Sequence, residues 1–174
     1  MEKALNPIEI EKIAGTPIIL LKYSQLCLFN TMEELFDKGI NYVLLLYETK
    51  LNNGHWVCLI NHPDSVEFFD SYAFVPDDEL KFTNLNFKKQ NNMDLPYLTY
   101  LMLNSKKPIE YNDYKFQSWK QGVHTCGRWV GFRIRLSHSD NFSLEDFIEM
   151  FKKFYTRKNY DLVITKLTDP FLRK

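Results

Sequence analysis

Three short stretches of the chain carry the residue types of thiol chemistry, and they come in a telling order. Gly54-His55-Trp56-Val57 follows a turn, Phe68-Phe69-Asp70-Ser71-Tyr72 carries a carboxylate, and Thr125-Cys126-Gly127-Arg128-Trp129-Val130 sets a cysteine before a glycine. A cysteine attacks a carbonyl as its thiolate, so it needs a base to take its proton. An imidazole whose second nitrogen is held by a carboxylate is such a base in a fixed tautomer. The set predicts a cysteine endopeptidase, a hydrolase working by nucleophilic catalysis.

Local setting separates the three thiols. Cys27 lies in the apolar run Tyr23-Ser24-Gln25-Leu26-Cys27-Leu28-Phe29 with no nearby histidine, which predicts a core residue. Cys58 comes three residues after His55, and strand side chains alternate faces, so the pair points to opposite sides and Cys58 packs with Trp56. Cys126 follows a polar loop at an expected helix start, where unpaired N–H groups and the positive dipole end favour thiolate. Cys126 is therefore the expected nucleophile.

His55 directly follows the Asn52-Asn53-Gly54 turn, at a strand mouth where its ring can face a cleft, as a general base must. His62, His124 and His138 sit in a turn, in the loop before Cys126 and near a helix end, and are less well placed. Asp70 shares a strand face with Val66 and Phe68, whereas Glu67 points the other way. It either orients His55 or caps the turn at Ser71-Tyr72. An oxyanion needs two donors: the Cys126 N–H is one, and a side-chain amide, Gln117 or Gln121, is the other. Gln117 is preferred because the apolar stretch Tyr114-Lys115-Phe116 fixes its position. Gly127, lacking Cβ, permits close approach of substrate or of neighbouring backbone. Metal binding is not expected: there is no CxxC or HxxxH pair, and His55 with Cys58 fails on strand parity.

Positioning these residues requires a core, and 174 residues with 45% hydrophobic content suffice for one domain spanning 1–174. The 22 basic and 22 acidic residues give no overall field for a polyanion, which disfavours dedicated nucleic-acid binding. Three widely spaced cysteines suit a reducing compartment rather than a disulfide framework. The N-terminus lacks a signal-peptide pattern and no apolar run is long enough to span a bilayer, so a soluble intracellular protein is expected.

Residues 7–38 read as helical or turn-linked, with Asn30-Thr31 capping a helix that stops at Gly39. Asn41–Tyr47, Trp56–Ile60 and Val66–Tyr72 predict three consecutive antiparallel strands, separated by turn signals. Asp77–Asn92 reads as polar and irregular, Leu95–Leu103 as a helix and Pro108–Phe116 as an edge strand. A loop from Gln117 to Thr125 precedes a helix starting near Cys126, and a last helix, Leu144–Tyr155, is capped by Ser143. The pattern indicates an α+β fold, a central mixed or antiparallel sheet flanked by helices.

GHWVCLI, FFDSY, a hydrophobic residue plus Gln, and TCGRW, in that order, resemble the adenain-like cysteine proteases, which share a fold with SUMO-specific proteases. These include maturation proteases of adenoviruses, virophages and large double-stranded DNA viruses, and the resemblance covers roughly residues 40 to 135. It implies Cys126 as nucleophile, His55 as base, Asp70 as orienter and Gln117 as oxyanion donor, although the family's glutamine stands nearer the cysteine than Gln117 and farther than Gln121. Ala73 stands where relatives usually have glycine, and tolerance is expected there.

The resemblance further implies cleavage of viral capsid or core precursor polypeptides at Gly-Gly-like sites during virion maturation, in the virion and the infected-cell cytoplasm. Trp56 and Trp129 then wall a narrow cleft, or else pack the core. A deconjugase for ubiquitin-like or SUMO-like modifiers and a non-catalytic interaction domain are the alternatives. A monomer without cofactor or membrane contact is expected. A DNA or peptide activator is left open: Lys152, Lys153, Arg157 and Lys158 form a basic cluster behind Glu145, Asp146 and Glu149, the pattern of a solvated helix face.

Overall fold

The computed structural model describes residues 3–173. Strands β1 (Ile19–Lys22), β2 (Tyr42–Lys50), β3 (Asn53–Asn61), β4 (Val66–Phe69) and β5 (Ile109–Tyr111) lie side by side in that order. The three central strands are antiparallel, as their short turn-linked sequences predict, whereas β1 and β5 join the edges in parallel. The sheet is therefore mixed.

Both faces of the sheet are covered. Leu44, Leu46, Trp56, Cys58, Ile60 and Phe69 pack against one group of helices: α1 (Pro7–Ala14), α4 (Cys126–Asp140), α5 (Leu144–Phe154) and α6 (Tyr160–Leu172). Val43, Leu45, Tyr47, Val57, Leu59 and Phe68 form a second core with short 3-10 turns at Tyr23–Leu28, Glu33–Leu35 and Asp78–Phe82, and with α3 (Tyr97–Leu103). A strand covered on both sides buries every residue, which is why β2 and β3 read as continuous apolar runs. The fold is α+β, a mixed five-stranded sheet flanked by helices.

Several elements differ from the sequence expectation. The region 7–38 contains a strand, β1, because the apolar run at Ile18–Leu21 pairs with Val43–Leu46. The expected helix after Asn30-Thr31 contracts to the single turn Glu33–Leu35. Asp77–Asn92 is not irregular; it holds the Asp78–Phe82 turn and α2 (Leu85–Gln90), capped by Asn84. Only three residues of Pro108–Phe116 pair as a strand. The Leu144–Phe154 helix is not the last: α6 follows, rich in β-branched residues and carrying Pro170, a composition of poor intrinsic helicity. It is held by packing Tyr160 and Ile164 into the first core.

Two features lock α4 in place. A Cβ on Gly127 would stand 2.9 Å from Ile10 Cδ1, and one on Gly131 3.0 Å from Ile13, so these glycines let α1 lie directly against α4. Arg133 of α4 forks onto Glu67 of β4 (Nε to Oε1 2.7 Å, Nη2 to Oε2 2.8 Å), and His62 donates to the same carboxylate at 2.7 Å. Burial alone would push the Glu67 carboxyl up, but His62 and Arg133 hold it below its ordinary value. Among the described residues, no helix is long and apolar enough to cross a membrane.

Candidate active site

The hairpin β2–β3 carries His55 to the rim of the sheet. Asn52 adopts φ +54°, and a Cβ on Gly54 would fall 1.9 Å from the Tyr47 carbonyl oxygen, so only glycine permits the close crossing that sets His55 opposite Tyr47. His55 Nε2 donates to Asp70 Oδ1 at 2.8 Å, both groups being buried. The same oxygen accepts the Tyr72 backbone N–H at 2.8 Å, so Asp70 both orients the imidazole and caps its own turn. Tyr72 stacks on the His55 ring at 4.6 Å and 25°, fixing its plane.

The Asp70 backbone is itself clamped. Asn112, just past β5, accepts the Asp70 N–H at 3.0 Å and donates to its carbonyl at 2.7 Å, continuing the β4–β5 pairing through a side chain. No sequence motif marks Asn112.

Cys126 is the first residue of α4, and its side chain lies close enough to His55 to raise the proton affinity of the imidazole. Burial alone would push the His55 imidazole down, but Asp70 and Cys126 override it and hold His55 well above its ordinary value. Thr125, the N-cap, makes no side-chain cap; its hydroxyl donates to Asp161 of α6 at 2.6 Å, and the Ser118 N–H donates to the other Asp161 oxygen at 3.1 Å. One carboxylate thus braces the loop before Cys126 at both ends. The first-turn N–H groups of α4, which have no intrahelical acceptor, are left without a side-chain cap.

Gln117 is 1% exposed, whereas Gln121 is exposed on the loop surface. The Ser71 hydroxyl donates to Gln117 Oε1 at 2.7 Å, which turns the amide nitrogen toward Tyr72 Oη (3.0 Å) and the Val123 carbonyl (3.4 Å). Its backbone N–H also bonds the Ser71 carbonyl, so the Gln117 loop and the Asp70 turn form one unit.

A cleft of about 640 Å³ opens beside Cys126, lined among others by Leu5, Leu20, Leu46, Trp56 and His124. Trp56 stands in its wall, its indole N–H donating to the Leu5 carbonyl at 3.3 Å. Trp129 does not: it is 0% exposed, enclosed by Phe116, Phe151 and Tyr160. Gly127 likewise serves helix packing against Ile10 and Leu5 rather than substrate approach. The Arg128 guanidinium reaches back to Thr168 (2.7 Å) and Asp169 (2.9 Å) of α6. Arginine and tryptophan after Cys-Gly are thus framework.

The other thiols lie elsewhere. Cys58 is enclosed with Trp56 in the first core, and burial pushes its thiol well up. Cys27 is only half-buried, not core, its thiol meeting the Ser24 carbonyl at 3.5 Å. Among the described residues two groups of possible ligands occur, His55 with Asp70 and Glu79, and His62 with Glu67 and Glu110. His55 Nε2 is taken by Asp70 and both Glu67 oxygens by Arg133 and His62, so neither is a preformed metal site. Glu79, buried beside His55 and Asp70, carries no local sequence pattern that marks it.

No family model matches the chain. Among solved structures, the central domain of a Legionella pneumophila protein, Lpg1148, overlays with a TM-score of 0.44 at 11% identity, covering 98% of this chain and 99% of that one. The SUMO protease Ulp1, its catalytic cysteine oxidised to a sulfenic acid, overlays at 0.42 and 17%, covering 95% and 80%. In sequence, the Sputnik virophage protein named "Uncharacterized protein V9" is 31% identical over 166 residues, 95% of this chain and 94% of that protein. The chain belongs to the family of the virophage V9 protein.

Proposed function

We propose that the chain is a thiol endopeptidase of the adenain-like kind, acting on viral capsid or core precursor polypeptides at small-residue, Gly-Gly-like sites during virion maturation. The observation that carries this reading is the chain of contacts from Cys126 at the start of α4, through His55, to the Asp70 carboxylate at 2.8 Å. A buried carboxylate, an imidazole held as a strong base and a thiol beside an uncapped helix end are the parts that acyl transfer requires. The virophage relative favours a viral role.

In the reaction, the Cys126 proton rests on His55, and Cys126 Sγ adds to the scissile carbonyl as the thiolate. The oxyanion is held by the Cys126 N–H and by Gln117, whose amide exchanges its long contact to the Val123 carbonyl for the substrate oxygen. His55 then protonates the departing amine, leaving a thioester on Cys126. Water, deprotonated by His55, hydrolyses the thioester and restores the thiol. Trp56 and the apolar cleft beside it receive the acyl side of the substrate.

The test is incubation of recombinant capsid precursor with this protein and with Cys126→Ala, followed by mass spectrometry of new termini. Cleavage by the parent chain alone, after small residues, is expected. Identical termini produced by the alanine variant would sink the assignment.

A further inference from the structure

Glu79, in the Asp78–Phe82 turn, places a carboxyl oxygen so that it, a His55 ring nitrogen and an Asp70 oxygen all lie within 4.8 Å of one another. Glu79 is 5% exposed, and among the described residues neither Glu79 Oε2 nor Asp70 Oδ2 has a hydrogen-bond partner. Two enclosed carboxylates at this range repel unless a proton or a cation lies with them. His55, which Asp70 and Cys126 hold well above its ordinary value, is the group that can supply that cation. The other groups facing Glu79 are Tyr72 after β4, and Asp78 and Lys81 of its own turn. Lys81 is half-exposed, bonded to Asp78 at 2.9 Å and laid over the Phe74 and Phe82 rings.

We propose that Glu79 is a positioning residue of this site, a second carboxyl against the His55–Asp70 pair that governs how firmly the imidazole keeps the proton taken from Cys126. The inference rests on Cys126 being the nucleophile. Burial pushes the Glu79 carboxyl up to about 7, with His55 drawing it down and Asp70 and Asp78 driving it higher. Ionised Glu79 supports imidazolium and therefore the thiolate beside it; protonated Glu79 withdraws that support. Thiol reactivity then rises through neutral pH in step with a group two side chains away from the sulfur.

The experiment measures alkylation rates of Cys126, Cys27 and Cys58 by iodoacetamide from pH 5 to 9, resolved by peptide mass spectrometry, in the parent chain and Glu79→Gln. The parent profile for Cys126 should contain a step near pH 7 that the variant lacks, with the variant about threefold to tenfold slower at pH 8, on the scale of one unit of altered proton affinity. Superimposable profiles, with Cys126 still the fastest thiol, would overturn the role of Glu79 alone. A parent Cys126 no faster than Cys27 would overturn the nucleophile and this proposal with it. A second readout needs no Glu79 variant: in protein with 13C-labelled glutamate carboxyls, the resonance titrating near neutrality should move to higher pH in His55→Gln, where the neighbouring positive charge is gone. An unmoved midpoint would refute the coupling.

Discussion

At the scale of single residues, one oxygen of Asp70 serves both the His55 ring and the Tyr72 backbone, and this explains why its catalytic and turn-capping readings coexist. Asp70→Asn keeps an acceptor for Tyr72 but removes the anion that holds His55 above its ordinary value. The imidazole then loses its proton at lower pH, so the alkaline limb of peptidase activity should move down the pH scale, with kcat/KM falling roughly 10²–10⁴-fold. A limb that stays in place would contradict the pairing. The rim position of His55 was readable because Asn-Asn-Gly announces a hairpin, and the burial of Gln117 because the apolar stretch Tyr114-Lys115-Phe116 precedes it, although that stretch lies beyond β5 rather than in a strand. Trp129 was not, since a cleft wall and a core tryptophan look alike in sequence, and only burial tells them apart. Asn112, Asp161 and Glu79 act through contacts across the fold, which no local pattern encodes.

At the scale of elements, the loop before Cys126 and the Asp70 turn are held as one piece by Ser71, Gln117 and Asp161. The turn carries a cost at Ala73, whose φ of +59° lies in the left-handed region although its N–H bonds the Asp70 carbonyl at 2.9 Å. Alanine is accommodated there with strain, so Ala73→Gly should stabilise the fold by about 1 kcal/mol in denaturant unfolding. A destabilising effect would contradict the reading of this turn. The three central strands and the start of α4 were legible because their turns and alternation are local signals. β1 and α6 were not, because a four-residue strand carries little periodicity and α6 folds by tertiary packing against its own weak propensity.

At the scale of the molecule, the sheet separates two cores, and the buried Glu67–Arg133–His62 network ties α4, the helix that begins at Cys126, to β4 across one face. Arg133→Met would leave the Glu67 carboxylate enclosed with only His62, costing about 3–5 kcal/mol near neutral pH. Because Glu67 is held below its ordinary carboxyl value, its contribution is present above that value and is lost as pH falls through the lowered one. The gap in unfolding free energy between variant and parent should therefore narrow in acid; a gap independent of pH would show that Arg133 acts by packing alone. The whole arrangement exists, on this account, to form an acyl bond at one sulfur. Rapid acid quenching during turnover of an activated peptide ester ending in Gly-Gly, followed by intact-mass and peptide mapping, tests that directly. A thioester adduct on Cys126 is expected in the parent chain, absent in Cys126→Ala and formed far more slowly in His55→Gln; turnover without an adduct and undiminished in Cys126→Ala would overturn Cys126 as the nucleophile.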